Sequence, residues 1–160
     1  MKKIFILIIA LFLTTECNGY KPIFGSSSFK FKISNYDIQG EKNLGNMLYS
    51  KIYASSVRDG DGSDISNLDL LINISKEKNP TAKDSSGKTL EYKITLKTKI
   101  LINDFTTGKK LLNRDFISSL SYKVQDQYSD TIRIENQSIE NLINKSYQEI
   151  LIYLSKNAAS

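Results

Sequence analysis

Groups able to do covalent chemistry are scarce in this sequence. It holds no histidine and a single cysteine, which excludes a Ser–His or Cys–His nucleophile pair and any metal site built on histidine or on several cysteines. Serine and lysine are abundant, so a Ser–Lys dyad stays open, but no residue is singled out for it. The run Asp59-Gly60-Asp61-Gly62-Ser63-Asp64 offers the oxygen ligands of a calcium loop. An EF-hand would need glycine where Asp64 stands and a bidentate glutamate where Leu70 stands, so the run reads as a solvated turn. Carboxylates are otherwise scattered, and the chain reads as a non-enzyme with no cofactor and no metal. Lysines are the more suggestive group. Lys93, Lys97 and Lys99 share the polar side of the most regular strand, with Lys88, Lys109 and Lys110 at its ends. Like charges on one strand face repel, so the cluster suits an anionic ligand. Exposed lysines also blunt aggregation of sheets, and both readings stand.

The cysteine has a telling position. Lys2 and Lys3 precede the unbroken apolar run from Ile4 to Leu13, and Thr14-Thr15-Glu16-Cys17 follows. Ten apolar residues suit a signal-peptide core and fall short of the roughly 20 needed to span a bilayer. Charge, short apolar run and then cysteine resemble the signal of a bacterial lipoprotein, in which the cysteine is acylated and becomes the first mature residue. Glu16 departs from the small residue usual before that cysteine. An ordinary cleaved signal and an uncleaved interfacial anchor are the alternatives. The resemblance implies a signal peptide over 1–16 and a lipid anchor at Cys17, where two or more acyl chains would hold stably. Asn18, in place of an aspartate, points to the outer membrane.

The rest must position the lysines. Residues 17–28, with Pro22, Gly25 and three serines, read as an extended leash. Phe29 to Ile33 alternates as a first strand that Gly40 ends, and Leu44, Met47, Leu48 and Ile52 make one stripe of a helix over about 43–55. Leu68, Leu70, Ile72 and Ile74 give a second strand. Lys76 to Lys88, polar and carrying Pro80 and Gly87, reads as a mobile loop. Leu90, Tyr92, Ile94, Leu96, Ile100 and Ile102 line one face of a third strand, and Asp104 to Lys109 closes a hairpin into a fourth over 111–122. A terminal helix spans about 129–156, its stripe formed by Ile139, Leu142, Ile143, Tyr147, Ile150, Leu151 and Leu154. Strands apolar on one face only take helices on that face. The fold class is therefore α+β, a two-layer sandwich with one four-stranded sheet covered on one face by two helices, forming a single domain over 29–156.

Composition agrees with that scale. The 160 residues are 40% hydrophobic and 24% charged, enough to build one core. Net charge is +5; Met1 to Glu16 accounts for a net +1 through Lys2, Lys3 and Glu16, leaving +4. A modestly basic domain suits an anionic partner such as a nucleic acid, a phosphorylated glycolipid or a membrane surface, and equally suits plain solubility; nothing in it resembles a nucleic-acid module, and export argues against one.

Residues Cys17-Asn18-Gly19-Tyr20-Lys21-Pro22-Ile23-Phe24-Gly25 resemble the mature start of the LPS-assembly lipoprotein family, LptE, with Asn18 as an insertion. Ile38-Gln39-Gly40, Asn43 with Met47-Leu48, Leu90-x-Tyr92 through Asp104-x-x-Thr107-Gly108-Lys109, and Ser119-x-Ser121-Tyr122 are similar to later parts of that family. The resemblance spans about residues 17–156. It implies an outer-membrane lipoprotein that plugs and helps assemble the LptD-type β-barrel lipopolysaccharide translocon and takes part in LPS delivery. Lys93, Lys97 and Lys99 are then the candidate LPS-binding residues, and Tyr20, Tyr36, Tyr49, Tyr53 and Tyr128 are candidate plug aromatics. A generic envelope scaffold without LPS contact, and a secreted Ser–Lys hydrolase, are the competing readings.

Overall fold

A computed structural model describes residues 30–57 and 65–158. The signal segment, Cys17, the leash with Tyr20, Phe29 and the Asp59 to Asp64 run all lie outside the described residues. The elements are β1 (Lys30–Gly40), α1 (Lys42–Ala54), β2 (Ile65–Lys83), β3 (Thr89–Asp104), β4 (Lys110–Lys123) and α2 (Tyr128–Ala158). The strands form one sheet in the order β1-β2-β3-β4. β2, β3 and β4 are antiparallel neighbours, whereas β1 is parallel to β2. A parallel pair cannot be joined by a tight turn, and α1 supplies the crossover. It lies against β1 and β2, while α2 lies against β4 and β3 and touches α1. Both helices cover the same sheet face, as the alternation requires.

The core is the layer between. Leu68, Leu70, Ile72 and Ile74 of β2 and Ile94, Leu96, Ile100 and Ile102 of β3 are buried beneath Leu48 and Ile52 of α1 and Leu142, Ile143, Ile150 and Leu154 of α2. Burying one such side chain contributes about 1.5–3 kcal/mol. Glycines let α1 settle close. A Cβ on Gly45 would lie 2.3 Å from Ile38 Cγ2, so β1 and the helix meet at a distance only glycine permits. Gly40 takes φ +79° at the exit of β1, and Glu41 then donates its N–H to the Ile74 carbonyl at 2.9 Å.

Two local readings need correction. Residues 76–83 are not a loop: β2 continues through them, pairing with β3 as far as Lys83 opposite Thr89. The ladder partner, rather than the segment's own polar pattern, makes it a strand. Pro80 fits because β1 stops at Gly40 opposite Ile74, leaving this stretch of β2 as an edge, with a register shift directly after the proline. The turn is confined to Asp84–Lys88, whose backbone and Ser86 donate to Asp84 Oδ1. Alternation puts Leu90 on the inner face, yet it is 47% exposed, since it lies near the hairpin tip away from the core cluster. On β4 the Arg114 guanidinium stacks 4.0 Å over the Tyr153 ring of α2.

Candidate functional site

The open sheet face displays the predicted lysines. Alternation places Lys93, Lys97 and Lys99 opposite in direction to the buried Ile94, Leu96 and Ile100, and all three are exposed. Residues two apart on a strand are about 7 Å from each other, so one face of β3 presents three ammonium groups in a line. Register decides what surrounds them. Lys93 lies between Asn79 of β2 and Ser121 of β4, Lys97 between Ser75 and Ile117, and Lys99 between Asn73 and Asp115. Lys97 makes an ion pair with Glu77, both side chains being half exposed, which is worth under about 1 kcal/mol. On β2 to β4 the face carries Lys93, Lys97, Lys99 and Lys123 beside Asp69, Glu77, Glu91 and Asp115. The cluster is therefore interleaved with acids and is not a uniform basic patch. Among the described residues, Lys93 has neither an ion pair of the Lys97 kind nor an acid of the Asp115 kind directly opposite it.

A second cluster sits on the covered face, where the hairpin outruns the core. Lys78 of β2 forms an ion pair with Glu135 of α2 at 2.5 Å, and Tyr122 of β4 donates its hydroxyl to the same carboxylate at 2.8 Å. The Lys78 ammonium stands 4.4 Å over the Tyr92 ring, and Tyr92 stacks on Tyr122 with centroids 5.9 Å apart. Burial pushes Glu135 up, but the hydrogen bonds from Lys78 and Tyr122 outweigh it and hold the carboxyl below its ordinary range. Burial works against charged Lys78, yet the Glu135 and Tyr122 contacts raise it above the usual lysine range. The cluster clamps the hairpin to α2. Reading 76–83 as loop hid it.

Tyr36, Tyr49 and Tyr53 form an aromatic ladder on β1 and α1, with centroid separations of 4.0 and 5.8 Å. Burial, then the neighbouring Tyr36 and Tyr53, push the Tyr49 hydroxyl up. Tyr36, Tyr53 and the distant Tyr128 are exposed. Among the described residues no lysine ammonium is hydrogen-bonded to a serine hydroxyl, and no three His, Cys, Asp or Glu side chains gather around a common point.

No family model matches the chain, and no curated protein is similar to it in sequence. Solved structures share its fold. Rare lipoprotein B from Shewanella oneidensis superposes with a TM-score of 0.55 at 12% identity, covering 78% of this chain and 96% of that one. A minor lipoprotein from Acinetobacter baumannii gives 0.56 at 16% identity over 81% and 92%. Lipoprotein B from Nitrosomonas europaea gives 0.55 at 14% identity over 83% and 88%. At these identities the likeness is one of fold, and it extends over nearly the full length of each of the three.

Proposed function

We propose that this chain is an outer-membrane lipoprotein, anchored through an acylated Cys17, that plugs and helps assemble an LptD-type β-barrel and takes part in passing LPS to the outer leaflet. The observation that carries the reading is a coincidence of two independent features. The segment Cys17 to Gly25 resembles the mature start of the LptE family, and the fold beyond it is that of the rare lipoprotein B structures, which are LptE-like. The proposed work is binding, with no covalent step.

In this reading the open face meets LPS phosphates and carboxylates. Lysine acts as a compact, mobile charge. Lys93 would bind first, and Lys97 would exchange the half-exposed Glu77 for a phosphate at little expense. Replacing Lys93, Lys97 and Lys99 together by glutamate is expected to abolish LPS binding while the far-ultraviolet spectrum and melting remain those of a folded protein. Unchanged LPS affinity would overturn the role of this face. The interleaved acids favour one competing reading, an envelope scaffold that touches no LPS. For that scaffold the triple variant would be neutral, because the wild-type chain would not bind LPS either.

A further inference from the structure

The two outer edges of the sheet are built very differently. β1 carries Lys30, Lys32 and Asp37 and is bent by a register shift between Ile33 and Asn35, devices that keep an edge from pairing. β4 has no such device in its middle. Its register with β3 is regular from Leu112 to Lys123, and Phe116 to Tyr122 holds no charge, proline or glycine. Every second residue there turns its N–H and C=O away from β3, and among the described residues no strand receives them. α2 adds a roof to this edge. Glu149, Ile152, Tyr153 and Lys156 follow the i, i+3, i+4, i+7 spacing of one helix stripe, and with residues 114–117 of β4 they line a groove of about 360 Å³. Phe116 lies against Tyr153 with ring centroids 5.8 Å apart, and Arg114 covers the same ring, so the groove is shaped before anything binds. Ile117 is 68% exposed, the most exposed large aliphatic side chain described, and Ile152 in the same groove is also exposed.

We propose that this edge and groove receive an extended segment of the barrel partner as a fifth strand of the sheet. On the plug reading above, on which this rests, the β4 edge is then one place where barrel and plug join. The chemistry of the groove selects the occupant. Unpaired peptide groups along a strand edge are satisfied in register by another backbone, which a lipid does not provide. The charges also favour a polypeptide. Arg114 and Lys156 line the groove together with Asp115 and Glu149, and among the described residues none of the four makes an ion pair. A rim balanced in sign suits a strand of alternating apolar and polar residues, whereas a polyanionic glycolipid would meet repulsion as well as attraction. The added strand lies about 4.8 Å outside β4, with its inward side chains apolar and packed against Phe116, Ile152 and Tyr153. Strands in the wall of a closed barrel are paired on both sides, so the segment comes from a loop of the barrel that folds into its lumen.

The test is amide hydrogen exchange, read residue by residue by mass spectrometry. It compares the complex purified from detergent-solubilised envelopes with the full-length chain produced without the barrel. In the free chain alternate amides between Asn113 and Ser121 should exchange fast, because they face away from β3. In the complex those same amides should slow several-fold, an effect that side-chain contact alone does not produce. Ile117→Lys puts a charge on the edge, and it should abolish the slowing while the free chain melts as before. A photoreactive p-benzoylphenylalanine in place of Ile117 should cross-link to one peptide of the barrel. A barrel that co-purifies without slowing these amides would overturn the added strand and leave the plug standing. Absence of any barrel from the purified wild-type chain would overturn both. Slowing that survives Ile117→Lys, or cross-linking only to a second copy or to LPS, would overturn pairing of the barrel with this edge.

Discussion

The β2–β3 ribbon passes through two environments. From Leu68 to Ile74 its inner side chains are fully buried beneath α1 and α2, and β1 flanks it. From Ser75 to Lys83 β1 is gone, and beyond Lys76 the inward side chain is Lys78, held by Glu135, Tyr122 and Tyr92. The first half is stabilised by apolar burial, which is non-directional and worth several kcal/mol per site. The second rests on the Lys78 cluster, on exposed polar contacts such as Lys97–Glu77 and Thr81–Glu91, and on ladder bonds at an edge. One continuous strand thus joins a rigid half to a half whose order depends on a handful of polar contacts, and the hairpin is expected to open from its tip first.

The largest effect should come from the buried half. Ile72→Ala is expected to lower unfolding free energy by about 2–5 kcal/mol in urea titrations, with every probe shifted together. Gly45→Ala, which drives a methyl into Ile38, should cost about 1–3 kcal/mol despite its better helix propensity. In the projecting half, Glu135→Gln should cost about 1–3 kcal/mol, read chiefly as faster amide exchange over 76–83 while Leu70 and Ile72 keep their protection.

The same half should carry the pH dependence. Glu135 is held below its ordinary range when folded, so its contribution is complete above the unfolded carboxyl value and fades as pH falls through the depressed folded one. Lys78 is raised, so its contribution is complete below the unfolded lysine value and is lost only as pH climbs above it. Tip protection should hold through neutral pH and decline in acid, and Glu135→Gln should remove the acid decline. Smallest of all, Lys97→Ala at a half-exposed pair should change stability by under about 0.5 kcal/mol.

The same contrast explains what the sequence discloses. Where burial dictates the strand, alternation is visible: Leu68 to Ile74, Tyr92 to Ile102 and the stripe from Ile139 to Leu154 are enough to give element order, layer count and the exposure of Lys93, Lys97 and Lys99. Where pairing dictates it, nothing periodic marks the segment. Lys76 to Lys83 is polar and holds a proline, so its strand character comes wholly from β3, and the clamp at Lys78 was hidden with it. The electrostatic setting of the lysines was likewise illegible, because only register brings Asp115 opposite Lys99 and Ser121 opposite Lys93. The tyrosine ladder was half visible, as the i, i+4 spacing of Tyr49 and Tyr53 on α1; Tyr36 joins them only through the parallel crossover.

The most direct test of the proposed role is a tagged pull-down from detergent-solubilised envelopes, with mass spectrometry of the co-purifying proteins and of the chain's own N-terminus. The account predicts a large β-barrel in stoichiometric amount and a mature chain that begins at an acylated Cys17. A lipidated chain without a barrel would contradict the translocon plug in favour of a scaffold, and an unmodified Cys17 would contradict the anchor on which the localisation rests.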